Sequence, residues 1–161
     1  VQTFLPYPDF EKSASVLDRQ RLGKQRVEAM VLLKIIRDNK KCWANHPIRL
    51  MWMKNLEALA YYGVVICDEW IRRGYKDTCR EKILDLNREL DGSELSVLRQ
   101  KYVNRDDGFL PSWFGDEDFH ASHRSNLIRK DETYYSAFGW TEPNDLTYVW
   151  PVSNAKTADE L

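Results

Sequence analysis

No stretch of this sequence is apolar for the roughly 18 residues that a membrane-spanning helix needs, and its opening residues lack the zones of a secretory leader. Cysteine is scarce. Cys42, Cys67 and Cys79 are odd in number and stand at spacings that no common metal site uses, which points to reduced thiols rather than a disulfide scaffold. A glycine-rich phosphate loop, a Gly-x-Ser-x-Gly elbow, a Cys-x-x-Cys pair and a dinucleotide fingerprint are all missing, which argues against the nucleotide-cofactor enzymes and hydrolases built on them. An excess of charge is missing too: the net charge is −1, so the chain is no general polycation. A local basic face opposed by acid elsewhere stays open, because footprint matters more than total. These absences lead us to expect a soluble, cytoplasmic protein that uses no cofactor.

What is present is helical patterning. At 161 residues the chain can bury one substantial core, and 43% hydrophobic with 30% charged residues is ordinary for a globular domain. Asp9 is placed to cap a short helix, Phe10 to Leu17, and Asp18 to cap a longer one ending near Asp38-Asn39. Pro47 suits a first helical turn, and apolar residues from Leu50 to Ile71 recur at helical spacing until Gly74, so 47–73 reads as one long central helix. Within it Gly63 marks a close approach of another helix or a slight bend. Further helices are expected over 77–90, 93–102, 116–129 and 131–138. There is no internal repeat and no convincing strand pair. The expectation is an all-α, compact single domain over 1–152 around the central helix, with a frayed tail over 153–161.

Three groups of residues could carry chemistry. The first is Asp18-Arg-Gln-Arg-Leu-Gly-Lys-Gln-Arg-Val-Glu28, whose apolar continuation, Ala29 to Ile36, demands burial. On a helix Arg21, Lys24, Gln25 and Glu28 share one face, beside the side on which Leu22, Ala29 and Leu33 gather. A carboxylate set among cations is held ionised, which suits it to stabilise positive charge while its neighbours hold phosphates. The same face could equally be plain solvated surface with a Lys24–Glu28 pair. The second group is His120, His123 and Arg124 on one face of the 116–129 helix. The two histidines could contact phosphates or bases, could join Asp116 around a metal, or could simply pack. The third is Asn45-His46-Pro47, where His46 could cap the helix that follows or reach a ligand at its N-terminus.

Several of these segments resemble one family. Leu56-Glu-Ala-Leu-Ala-Tyr-Tyr-Gly-Val-Val-Ile-Cys-Asp-Glu-Trp-Ile-Arg-Arg-Gly-Tyr75 is similar to the long helix of the pyrimidine-dimer DNA glycosylases of the endonuclease V type, small all-helical base-excision enzymes. Asp18 to Val31, with Leu22 and Glu28, resembles their catalytic helix, and Tyr134-Tyr-Ser-Ala-Phe-Gly139 their aromatic-rich segment. Arg-Leu-Gly-Lys-Gln-Arg-Val-Glu, Asn-His-Pro and Tyr-Val-Trp-Pro bring the chain closer to a bacterial branch of that family.

The resemblance implies a monomeric DNA glycosylase with β-lyase activity on double-stranded DNA carrying a damaged or modified base. The amine of residue 1, here Val1, would attack C1′, expel the base and form an imine. Glu28 would be the catalytic carboxylate. Arg21, Lys24, Arg26, His46, His120, His123 and Arg124 are the residues expected to contact DNA, with no metal. The chain departs from the family pattern at Gln2, a residue that hinders removal of an initiator Met, and this leaves Lys24 open as the alternative imine-forming amine. A non-catalytic DNA-binding domain of the same fold is the rival reading.

Overall fold

The computed structural model describes residues 1–90 and 92–152, and among these it contains helices and no strand. The expected tail over 153–161 lies outside the described residues. Helix α1 (Phe10–Val16) starts where the Asp9 carboxylate accepts from the Lys12 amide at 2.7 Å. Helix α2 (Arg19–Arg37) starts at Asp18, which accepts from the Arg21 amide at 3.4 Å. Then follow α3 (Pro47–Trp52), α4 (Leu56–Arg72), α5 (Cys79–Leu90), α6 (Leu95–Val103), α7 (Glu117–Lys130) and α8 (Glu132–Tyr135). A 3₁₀ turn, Ser136–Phe138, closes the helical part at Gly139, whose φ of 71° is the left-handed conformation that glycine adopts without strain.

Helix α4 is the centre. Every residue from Ala58 to Cys67 is buried, and a helix apolar on all sides must be wrapped by others. Helices α1, α2, α5, α6 and α3 pack around it. The closest approach is at Gly63: a Cβ there would stand 2.8 Å from Ile83 Cδ1 and 3.2 Å from Ala29 Cβ, so glycine is what lets α2 and α5 meet α4. One expectation needs correcting. The 47–73 segment is two helices, because Asn55 leaves helical geometry at φ −135°, ψ 53° and donates its side-chain amide to the carbonyls of Gly108 and Phe109. Periodicity runs through this break since both helices bury the same side against one core.

The first eight residues have no strand to pair with, yet residues 2–6 are buried. A buried backbone must find hydrogen-bond partners, and here side chains supply them. The Gln2 amide donates to Glu28 Oε2 at 3.4 Å, and Thr3 to the Gln2 side-chain oxygen at 3.1 Å. Phe4 donates to Gln25 Oε1 at 2.9 Å, and Leu5 to His123 Nδ1 at 2.9 Å. The carbonyls are taken in the same way. Gln25 Nε2 donates to Gln2 O at 2.8 Å, and His120 Nδ1 to Leu5 O at 2.7 Å. An Arg124 guanidinium nitrogen donates to Pro6 O at 2.7 Å, and Trp52 Nε1 holds the Thr3 hydroxyl at 3.0 Å.

Two predictions follow from this packing. Gly63→Val forces a branched side chain into the α2–α4–α5 contact and should lower the free energy of unfolding by about 2–3 kcal/mol, read from chemical denaturation. Burial, with His120 adding to it, pushes His123 down to about 3, so the ring is neutral and its Nδ1 can accept from Leu5. The unfolded chain binds the proton near 6.5, so this stability is complete above that pH and is lost as pH falls toward the folded value. Between pH 7 and pH 5 the loss should be of order 2 kcal/mol. Thermal denaturation against pH should show the decline, and His123→Asn, which keeps an acceptor but cannot titrate, should flatten it.

Candidate active site

Pinning the first residues along α2 creates a cavity of about 250 Å³. It is lined by Val1, Gln2 and Phe4 and by Gln20, Arg21, Lys24, Gln25 and Glu28 of α2. Lys130, at the end of α7, and Tyr148, from the segment after the last helix, complete the rim.

Glu28 sits at the junction. Its Oε2 accepts from the Gln2 amide and from Gln25 Nε2 at 3.1 Å, and its Oε1 lies 3.6 Å from Lys24 Nζ. The Glu28 side chain is 14% exposed while that of Lys24 is 72% exposed, so the carboxylate is fixed and the lysine is free to move. Residue 1 is one peptide bond from the amide that Glu28 holds, and it lines the same cavity. Among the described residues no ion pair joins its amine to Glu28, and the two groups share the lining of one cavity. Gln25 is the hub: 2% exposed, it ties Gln2, Phe4, Tyr62 and Glu28 into one network.

Cations dominate the rim. Burial, with Arg21, Arg129 and Lys24 nearby, lowers the Lys130 ammonium below its usual value, while Arg21 is paired with Asp18 at 3.2 Å. Burial pushes the Tyr148 phenol up to about 12, so its hydroxyl stays protonated at the mouth of the cavity. Such an arrangement can take a negatively charged backbone on its rim and place an electrophilic carbon between an amine and a carboxylate.

The other expected site residues do not line this cavity. His120 and His123 are 0% exposed. Their nitrogens bond Leu5 and, through His120 Nε2, the Gly115 amide, so they position the extended first segment and are neither surface contacts for DNA nor metal ligands with Asp116. Arg124 is spent on Glu117, Glu142 and Pro6 O. Arg26 is spent on Asp77 at 2.6 Å and on the face of Trp70 at 4.3 Å, a ring that fits because Gly23 has no side chain beneath it. His46 caps α3, its Nδ1 accepting from the Ile48 amide at 3.0 Å; burial, with the positive N-terminus nearby, lowers its affinity for a proton. Sequence reasoning did not single out Gln25, Lys130 or Tyr148 as lining residues. Gln25 carried a signal, a polar residue on the buried flank of an amphipathic helix, whereas the other two are brought in only by the path of the chain after residue 117.

The profile of the family described as Pyrimidine dimer DNA glycosylase matches residues 1–82, which hold the strand, α2 and the whole of α4. No curated protein and no solved structure gives a significant match. Half of the chain, including the wall that carries Glu28, fits that profile, and the chain belongs to the pyrimidine dimer DNA glycosylase family.

Proposed function

We propose that this DNA glycosylase excises its target base through an imine formed by the amine of residue 1, with Glu28 as the catalytic carboxylate, and then cleaves the strand by β-elimination. The observation that supports this reading is the bond from the Gln2 amide to Glu28 Oε2 beside the cavity that residue 1 and Glu28 both line. The neutral amine attacks C1′, the N–C1′ bond forms, and the bond from C1′ to the base breaks with its electron pair leaving on the base. Glu28 takes the proton released from the attacking nitrogen and stabilises the cationic sugar. The C1′–O4′ bond then breaks, O4′ takes a proton from water, and the protonated imine is left. Glu28, ionised again, takes a C2′ proton, and the electron pair of that C–H bond expels the 3′ phosphate. Lys24 is the alternative amine on the same wall.

The substrate is double-stranded DNA, and the target nucleotide leaves the stack to reach C1′ at the cavity. Arg21, Lys24 and Lys130 take phosphates around the mouth, while Arg26, Arg124 and His46 act inside the fold. The enzyme works as a monomer with no cofactor. Among the described residues no helix is long and apolar enough to cross a membrane.

Borohydride added to protein and a duplex carrying an abasic site should trap a covalent adduct. Glu28→Gln should slow trapping by about 100-fold or more, in the range of a lost acid–base group, while duplex affinity stays within about tenfold. Salt-dependent binding with no adduct, indifferent to Glu28→Gln, would mean a binding domain without chemistry. Adding several residues before residue 1 should abolish the adduct and leave affinity within about tenfold. Lys24→Ala and Lys130→Ala should each reduce the slope of log K against log salt by about 0.9.

A further inference from the structure

Gln2 is 5% exposed, and nearly all of its polar atoms are used. Its amide donates to Glu28, its carbonyl accepts from Gln25, and its side-chain oxygen accepts from the Thr3 amide. Its side-chain nitrogen is buried and has no acceptor among the described residues. Exchanging the two ends of the carboxamide would turn that nitrogen toward the Thr3 N–H, donor against donor, so the network fixes which end is orphaned.

An unmade bond on a buried amide costs about 1–3 kcal/mol. Two other buried atoms share this state, Arg26 Nε and His123 Nε2, but neither residue lines the cavity. Gln2 does, next to residue 1 and Glu28. The residue that carries the orphaned donor is therefore part of the lining around the proposed reacting centre.

We propose that Gln2 Nε2 donates to the O2 carbonyl of the pyrimidine as it is expelled, making Gln2 a catalytic residue for base departure. This rests on the reading of residue 1 as the nucleophile. When the C1′–N1 bond breaks, its electron pair goes to N1 and is shared with O2 through the adjoining carbonyl. O2 is joined to C1′ through only two intervening atoms, N1 and C2. A group one residue from the attacking nitrogen is placed to meet it. A donor aimed at charge that develops only in the transition state lowers the barrier without tightening ground-state binding. The proton taken from the attacking amine by Glu28 can then pass to the departing base, which balances the step. Tyr148, whose phenol stays protonated, offers a second donor on the opposite rim.

The step that needs this donor is excision, and a preformed abasic site has no base to expel. Single-turnover rates at saturating protein should therefore be compared on a duplex with a cis-syn thymine dimer and on the same duplex with an abasic site. Gln2→Met removes the donor, and Gln2→Glu removes it while keeping the acceptor for the Thr3 amide. Both variants should slow excision from the dimer by about 100-fold, the usual loss for one such donor. Both should slow cleavage and borohydride trapping at the abasic site far less, so that the ratio of excision to abasic-site cleavage falls by about 10-fold or more. Equal losses on both substrates would show that Gln2 only holds the strand, and an unchanged excision rate would show that the donor is idle; either result overturns the proposal. Failure of the unaltered protein to trap on abasic DNA would instead remove the amine mechanism, and this inference with it.

Discussion

Four consecutive backbone amides, from Gln2 to Leu5, each donate to a side chain, and the candidate site depends on that substitution of side chains for a neighbouring strand. An extended segment buried without a sheet would otherwise leave its polar groups unpaired, at a cost that no amount of apolar contact from Phe4 and Leu5 would hide. Gln25 and Glu28 from α2 and His120 and His123 from α7 meet that need from opposite sides. Because most of these partners are side chains at fixed helical positions, the extended segment is held in one register beside α2 and α7. The catalytic geometry proposed here is thus a by-product of satisfying a buried backbone.

The same bookkeeping sorts the cations. Arg26 and Arg124 share the sequence neighbourhoods of the candidate groups, yet both are buried against carboxylates and hold elements together. Lys24 is mostly exposed, and Lys130 stands among like charges, so their fields are directed outward from the cavity mouth. A chain with a net charge of −1 can in this way present a locally cationic rim to a polyanion, its acid being paired or lying elsewhere.

Much of the fold was legible because caps and periodicity are local. Asp9, Asp18 and Gly139 end elements where their chemistry says they should, and Gly63 marks the close helix contact that a lone glycine in an apolar helix suggests. The break at Asn55 was not legible. It is set by carbonyls of Gly108 and Phe109, more than fifty positions away, and nothing in the local pattern announces them. The histidines show the same limit from the other side: His120 and His123 at i,i+3 look like a surface pair until the strand at Leu5 is placed against them. On α2 the shared face of Arg21, Lys24, Gln25 and Glu28 was visible in the spacing, but its division into a buried hub and an open rim needed the strand as well.

The account stands most directly on which nitrogen becomes joined to DNA. Protein trapped with borohydride on an abasic duplex can be digested and its modified peptide sequenced by mass spectrometry. The reduced sugar should be found on the α-nitrogen of residue 1, in the peptide that carries Gln2 and Thr3. A sugar on the side chain of Lys24, with residue 1 unmodified, would contradict the pinned-strand mechanism.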